Sequence, residues 1–205
     1  QVAFEGAAIR TVDFMARLAA LLPKPRVNLT CYHGVLYTAE AVQIPQILYN
    51  VPGRTGVDML PETIGRLADI ENIIGIKEAT GDLQRGREVL DICAGRMTVY
   101  SGGDETAAEL ILMGASGNVS VTANVAPALM AQLCSLALAG NETETRKLDA
   151  RLRPLSNALF LESNPIPVNW ALARQGLIGG HLRLPLTELA PAYHEPLIAA
   201  LRALK

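Results

Sequence analysis

Short apolar runs and segments with helical periodicity alternate along the chain from residue 46 onward. Four of the runs have the length and the content of β-branched or aromatic residues that strands have. These predicted strands are QILYNV (46–51), IIGIKEA (73–79), MTVYSG (97–102) and GNVSV (117–121). Their first residues are 20 to 27 positions apart. This is the spacing of βα units, so the pattern predicts a parallel α/β architecture.

Amphipathic segments follow the predicted strands, and only helical patterns occur beyond residue 140. Asn141 is a predicted N-cap, with Glu144 three positions later as in a variant of the capping box. We therefore divide the chain into a barrel region over 1–140 and a C-terminal helical region over 141–205. Helices are predicted over residues 61–70, 81–95, 104–114, 126–140, 141–162, 168–177 and 194–205.

The first 45 residues do not show the βα rhythm. Residues 11–25 predict an amphipathic helix, whereas residues 26–42 change character abruptly. A (β/α)₈ barrel has eight units and typically about 250 residues, so the predicted barrel is incomplete before residue 46. Four parallel strands alone would leave an uncovered edge. This favours the interpretation that stretches of a longer chain are omitted over a truncated or rearranged barrel.

Composition excludes several classes of function. Half of the 205 residues are hydrophobic, and the formal net charge is −2 with a pI of about 6.0, which gives no electrostatic signature for nucleic acid or an anionic membrane. No membrane span or signal peptide is predicted. Three cysteines without C-x-x-C spacing favour a reducing, cytoplasmic location. Three scattered histidines form no ligand cluster, so no metal site is predicted.

Two residues whose side chains could take part in catalysis lie at the ends of neighbouring predicted strands. Lys77 follows an apolar, isoleucine-rich run, and Tyr49 precedes it by 28 residues, one βα unit. The two are therefore expected at similar heights at the carboxyl ends of their strands, where barrel enzymes place catalytic groups. Partial burial favours a neutral amine, which can form a Schiff base with a ketone, and a tyrosine hydroxyl can relay protons. The alternatives are a lysine that reaches solvent and a half-buried structural tyrosine.

Other candidates lie in the segments after the strands. Arg54 follows the first strand in the loop VPGRTG, where it could bind a substrate carboxylate or remain solvated. Gly102 and Gly103 end the third strand and either leave room for a small substrate or form a turn. We interpret Glu78 and Asp104 as structural, because helix N-termini often carry acidic residues.

Six segments together resemble the dihydrodipicolinate synthase family from about residue 42 to the C-terminus. They are ILYNVPGRTG, NIIGIKEATGD, YSGGD, GNVSVTANVAP, ESNPIPVNWAL and LRLPLTEL. The resemblance implies a (β/α)₈ TIM barrel with a C-terminal helical region, commonly a homotetramer. It implies a lyase without a cofactor that condenses pyruvate with L-aspartate 4-semialdehyde. The product, 4-hydroxy-tetrahydrodipicolinate, lies on the route to lysine through diaminopimelate.

The resemblance also implies roles for individual residues. Lys77 matches the lysine that forms the Schiff base with pyruvate, and Tyr49 matches the proton-relay tyrosine. Arg54 matches the arginine that receives the carboxylate of the semialdehyde. Val119 matches the residue whose backbone carbonyl lines the pyruvate pocket, and Gly102 matches the backbone beside the second substrate.

The sequence departs from the family pattern in its N-terminal part. The family's G-T-T-G-E motif, whose threonines bind pyruvate, is absent, and the T-P-Y-Y-N segment is reduced to Thr30-Cys31-Tyr32. Tyr32 is therefore only a weak candidate for the tyrosine that reaches a neighbouring subunit. Two alternatives stay open: another pyruvate-dependent aldolase, such as an N-acetylneuraminate lyase, or a catalytically inactive barrel fragment. Arg54 favours the synthase, because it suits a short carboxylated aldehyde.

Overall fold

The computed structural model describes residues 2–4, 7–9 and 45–204. Strands β1 (Val2–Phe4) and β2 (Ala7–Ile9) form an antiparallel pair. The helix predicted over 11–25, the segment 26–42 and Tyr32 lie outside the described residues.

A parallel sheet of three strands forms the centre of the described structure. Strands β3 (Gln46–Asn50), β4 (Ile73–Glu78) and β5 (Thr98–Ser101) lie in the order β3-β4-β5. Helices separate and follow these strands, as the βα spacing predicts. They are α1 (Pro52–Thr55), α2 (Pro61–Leu67), α3 (Leu83–Cys93), α4 (Ala107–Leu112), α5 (Pro127–Leu138), α6 (Glu142–Ala158), α7 (Ile166–Arg174) and α8 (His194–Arg202). None of the helices in the described part of the chain is long and apolar enough to cross a membrane.

The two faces of the sheet have different surroundings. One face belongs to a buried cluster with helices α2 and α3, formed by Leu48, Ile76 and Val99 together with Ile64, Leu67, Ile73, Val89 and Cys93. On the other face, Ile47 and Tyr49 are 51% and 46% exposed. Because side chains alternate along a strand, β3 presents its buried residues to the helices and Tyr49 to the opposite side.

The prediction of a fourth strand over residues 117–121 is wrong. Asn118 forms an isolated parallel bridge to Ser101, and the backbone hydrogen bonds to β5 extend only from Ser116 to Val119. Gly117 has a φ of +153°, a conformation that interrupts a regular strand and that glycine adopts without strain. A short 3₁₀ helix over Thr122–Asn124 then turns the chain toward α5.

The predicted N-cap of α6 is confirmed, although the capping box is only half formed. The Asn141 side chain accepts a hydrogen bond from the backbone N–H of Glu144. The Glu144 carboxylate does not return to Asn141 but pairs with Lys147 at 2.7 Å, and the Asn141 N–H donates to the carbonyl of Leu136 instead. The carboxylate is therefore free to make an ion pair along the helix.

Helix α6 shares a hydrophobic core with the two helices that precede it. Ala108 of α4, Met130 and Leu133 of α5, and Leu148 and Leu152 of α6 form one buried cluster. A second cluster joins the end of α6 to α7 and α8 through Leu155, Leu159, Val168, Ala171 and Leu197. Apolar contacts thus run continuously from the barrel helices into the C-terminal helices.

Candidate active site

Strand pairing brings Tyr49 and Lys77 side by side. The two are direct register partners in β3 and β4, so the prediction that they lie at similar heights on neighbouring strands is confirmed. The Nζ of Lys77 lies 4.1 Å from the centroid of the Tyr49 ring, within the range of a cation–π contact. Lys77 is half-buried. The amine is therefore held by the ring face while it stays accessible to a small molecule.

Gly102, immediately after β5, packs against the Lys77 side chain. A Cβ placed on Gly102 would come within 3.0 Å of the Lys77 Cε and 2.5 Å of the Ala79 Cβ. Contacts this short do not occur without a shift of the neighbouring atoms. The absence of a side chain at Gly102 is therefore what gives the lysine stem its space.

Tyr100 is a neighbour of the site that the sequence analysis missed. It is the register partner of Lys77 in β5, so Lys77 lies between two tyrosines, Tyr49 and Tyr100, at the same level of the sheet. Its ring lies beside Gly75, since a Cβ at that glycine would be 3.5 Å from the Tyr100 Cε2. The sequence-based candidates include only residues at or after the ends of the predicted strands. The alternation of side chains along a strand could have identified Tyr100, because it places Tyr100 on the same face of the sheet as Gly102.

Arg54 lies in a one-turn helix, α1, rather than in a loop. Its Nη2 is 3.4 Å from the backbone carbonyl of Asn164, a long and weak hydrogen bond. The residue is exposed. Its guanidinium is therefore available to an anionic group that approaches the carboxyl ends of the strands, while its contact with Asn164 ties it to the segment before α7.

Val119 follows the isolated bridge to β5. Its backbone N–H donates to the carbonyl of Ser101 at 2.9 Å, which holds this short segment against the end of β5. Its side chain is 47% exposed. The structure thus places Tyr49, Lys77 and Gly102 at the carboxyl-terminal ends of the three strands, as the sequence predicts, and Val119 beside the end of β5 without the strand predicted for it.

Glu78 and Asp104 are buried acidic residues that accept several hydrogen bonds. Glu78 accepts from Asn50 and from the backbone of Thr80. Asp104 accepts from the backbone of Thr122 and from Asn118, each at 2.8 Å. Buried carboxylates require such partners, and the structural interpretation of both residues agrees with these contacts.

The cysteine thiols, which could act as nucleophiles or metal ligands, lie away from the strand ends. Cys93 and Cys134 are free thiols. Burial raises the pKa of the Cys93 thiol to about 11, against a smaller opposing effect of the nearby Arg96 charge, and burial also raises the pKa of Cys134. Neither thiol is activated as a nucleophile. Within residues 45–204, no group of three or more histidine, cysteine or acidic residues could hold a metal ion.

Comparison with known proteins identifies close relatives. The 4-hydroxy-tetrahydrodipicolinate synthase of Stutzerimonas stutzeri strain A1501 is 58% identical over 188 residues, which cover 90% of this chain and 64% of the relative. The enzyme of that name from Pseudomonas aeruginosa is 56% identical over the same length. This chain therefore spans slightly less than two thirds of the length of these curated relatives.

Solved structures give the same result for the fold. A dihydrodipicolinate synthase from Acinetobacter baumannii, complexed with pyruvate, superimposes with a TM-score of 0.83 at 55% identity, covering 84% of this chain and 60% of that one. The Thermotoga maritima synthase superimposes with a TM-score of 0.81 at 40% identity. These likenesses confirm the predicted fold, an α/β barrel of the (β/α)₈ type with C-terminal helices. This chain covers about 60% of the length of these solved structures.

The family assignment rests on the sequence as a whole as well as on the site. The sequence pattern of the dihydrodipicolinate synthetase family matches residues 29–204. This range contains all the candidate site residues, including Tyr32. The chain therefore belongs to the dihydrodipicolinate synthetase family.

Proposed function

We propose that this protein is a Schiff-base lyase that condenses pyruvate with L-aspartate 4-semialdehyde to form 4-hydroxy-tetrahydrodipicolinate. The observation that carries the proposal is the placement of the Lys77 amine over the Tyr49 ring at the carboxyl end of neighbouring strands. The names of relatives that are more than 50% identical support the same reaction. No cofactor is required, because the lysine itself supplies the covalent chemistry.

The first half of the reaction uses the lysine as a nucleophile. The neutral Lys77 amine attacks the ketone carbon of pyruvate to give a carbinolamine, which loses water to form an imine. Both steps move protons between nitrogen and oxygen, and the Tyr49 hydroxyl is the proposed relay for them. Gly102 contributes by leaving the lysine stem room to turn toward the ketone.

The second half makes the new carbon–carbon bond. The imine draws electrons from the pyruvate methyl group, which loses a proton to give an enamine. The enamine carbon then attacks the aldehyde carbon of the semialdehyde, whose oxygen takes up a proton to become the 4-hydroxyl group, and the imine to Lys77 is restored. The amino group of the condensed semialdehyde finally attacks the imine carbon, which closes the ring and displaces the free Lys77 amine. Arg54, exposed at the same edge of the sheet, is the proposed partner of the aldehyde's carboxylate. The backbone of Gly102 is proposed to lie beside this second substrate, and the backbone carbonyl of Val119 is proposed to line the pyruvate pocket.

The direct test is chemical trapping of the imine. The purified protein is incubated with pyruvate and borohydride, and its intact mass is compared with that of a sample reduced without pyruvate. We expect the mass of one reduced pyruvate unit on the protein and, by peptide mapping, on Lys77. Attachment to another lysine would overturn the role assigned to Lys77. Absence of any adduct would overturn the proposal and favour an inactive barrel.

The proposal extends to the assembly and location of the protein. We propose a homotetramer, which light scattering of the purified protein tests, and a cytoplasmic location. The free thiols of Cys93 and Cys134 support a reducing compartment. The division of the chain at residue 140 stays a prediction.

A further inference from the structure

A buried polar pair links the strands directly behind Tyr49 and Lys77. Asn50 and Glu78 follow these residues in β3 and β4, and they are register partners of each other. They are only 2% and 4% exposed. Because side chains alternate along a strand, the pair lies on the helix-covered face, one residue away from the candidate active site.

Both polar atoms of the Asn50 side-chain amide are hydrogen-bonded. Its amide nitrogen donates to the Glu78 Oε2 at 3.1 Å and to the Asp58 Oδ1 at 3.0 Å. Its amide oxygen accepts from the backbone N–H of Met59 at 3.0 Å. Only one orientation of the amide satisfies two carboxylates and one N–H, so the direction of each bond is determined by the chemistry of the partners.

Glu78 extends the link to the rest of the strand edge. Its Oε1 accepts from the backbone N–H of Thr80 at 2.7 Å, and its backbone carbonyl accepts from the N–H of Gly102 at 2.7 Å. Side chain and backbone of this residue therefore connect β4 with β3 on one side and with the end of β5 on the other.

The network is anchored on helix α3 through Asp58. The Arg85 side chain lies 3.1 Å from the Asp58 carboxylate, and Arg85 is mostly buried. Asp58 in turn accepts from Asn50. The position of the β3 end is thus fixed with respect to both β4 and the helix that covers them.

A polar pair at this place costs desolvation energy that an apolar pair would not. Buried ionic and polar groups often add little to stability compared with well-packed apolar residues, and their best-attested use is to fix register and geometry. A slip of one residue would move every side chain of the strand to the opposite face. A hydrogen-bonded pair beside Tyr49 and Lys77 resists such displacements in a way that non-directional apolar contacts do not.

We propose that Asn50 and Glu78 are positioning residues for the Schiff-base reaction. This inference rests on the function proposed above. The pair holds the carboxyl ends of β3 and β4 in one relative position, so that the Lys77 amine and the Tyr49 side chain keep the alignment needed for imine formation. Neither residue touches the substrates.

The test exchanges the polarity of the pair. In Glu78→Gln, the single oxygen of the new amide can accept from the Thr80 N–H or from the Asn50 amide, but not from both. The NH₂ group of the new amide then faces the other N–H donor. The triple variant Asn50→Asp, Asp58→Asn and Glu78→Gln restores a bond between the strands with donor and acceptor reversed, and it keeps the acceptors for Thr80 and Met59. Asp58→Asn is included because a carboxylate at position 50 would otherwise face the Asp58 carboxylate, which accepts from the Asn50 amide. We expect the rate of adduct formation and kcat to fall about 10- to 100-fold in Glu78→Gln, with little change in the KM for pyruvate. We expect the triple variant to recover most of this loss.

A matched control separates alignment from stability. Cys93→Ala removes a buried side chain from the cluster under the same sheet and leaves the polar pair intact. It is expected to lower the unfolding temperature without lowering kcat. Glu78→Asp, which keeps the charge but shortens the reach, is expected to lose rate by a smaller factor and serves as the measurement if the glutamine variant does not fold.

The outcomes distinguish the two proposals. Unchanged kcat in a folded Glu78 variant, or a triple variant no better than the single one, would overturn the positioning role. Equal loss of kcat in Cys93→Ala would also overturn it. If the unaltered protein forms no pyruvate adduct at Lys77, the Schiff-base function itself fails, whatever the variants do.

Discussion

The Cε of Lys77 lies so close to Gly102 that a Cβ on the glycine would be 3.0 Å away from it. The side chain proposed to carry the reaction is therefore shaped by a residue that contributes only backbone. The same glycine donates its N–H to the Glu78 carbonyl. A conformational change at Gly102 would consequently reach the lysine both through space and through the strand that carries it.

Gly102→Ala should slow the reaction at Lys77 and lower the stability of the protein. The added methyl group would lie 2.5 Å from the Ala79 Cβ and 3.0 Å from the Glu78 carbonyl, and overpacking of this kind costs about 1–3 kcal/mol. We expect slower adduct formation at Lys77 together with a lower unfolding temperature. The control is Gly103→Ala, whose Cβ would meet only the Thr106 Oγ1 at 3.5 Å. Equal effects of both substitutions would contradict the steric explanation.

Replacement of Lys77 should remove turnover and leave the fold intact. Lys77→Ala deletes the amine, and Lys77→Arg keeps a positive charge that cannot form the imine. Loss of a covalent nucleophile lowers kcat by about 10³-fold or more. Steady-state kinetics and thermal unfolding measure the two effects separately. Substantial condensation activity in either variant would exclude Lys77 as the nucleophile.

Arg54→Ala should weaken the binding of the semialdehyde and leave the reaction of Lys77 with pyruvate unchanged. The guanidinium is exposed and makes only a long hydrogen bond to the Asn164 carbonyl, so its removal should not disturb the strand ends. We expect a higher KM for the semialdehyde, by about 10- to 100-fold for a lost charged hydrogen bond, with unchanged pyruvate trapping at Lys77. Arg54→Lys keeps the charge but cannot bind a carboxylate through two parallel hydrogen bonds. Its KM for the semialdehyde should therefore lie between that of the unaltered protein and that of Arg54→Ala. An equal loss of pyruvate trapping would show that Arg54 is structural.

The buried thiol of Cys93 should make the protein less stable at alkaline pH. Burial raises the pKa of this thiol from 9.0 to about 11, so the folded state holds the proton more tightly than the unfolded state does. The stabilisation is complete below pH 9 and is lost as the pH rises from 9 to 11, by at most about 2–3 kcal/mol. Urea unfolding at several pH values measures it.

The comparison with Cys93→Ala isolates this contribution. Other groups titrate in the same range, but only the difference between the unaltered protein and the variant reports on Cys93. We expect the stability advantage of the unaltered protein to shrink between pH 9 and pH 11. A difference that stays constant with pH would contradict the assigned origin of the pKa shift.

The sequence predicted the elements with strong periodic or capping signals. The spacing of Tyr49 and Lys77 correctly placed them as neighbours, because parallel βα units fix both the order of the strands and the edge at which they end. Asn141 correctly marked the start of α6, because an N-cap is a local interaction.

Other features depend on contacts that no local pattern encodes. The run GNVSV has the composition of a strand, but Gly117 takes a φ of +153° and only one bridge forms. The packing of Lys77 between Tyr49, Tyr100 and Gly102 follows from the pairing of three strands. The closed set of hydrogen bonds around Asn50 requires the positions of Asp58 and Met59, which a linear sequence does not give.

The core shared by Ala108, Met130, Leu133, Leu148 and Leu152 has a consequence for how the chain can be divided. Helices on both sides of Gly140 bury their side chains in it, so the two sides should melt in one cooperative transition. Proteolytic cleavage at Gly140 would leave the two pieces associated rather than release a free module. A chimera that imports its C-terminal helices from a relative would therefore also need the matching face of helix α5.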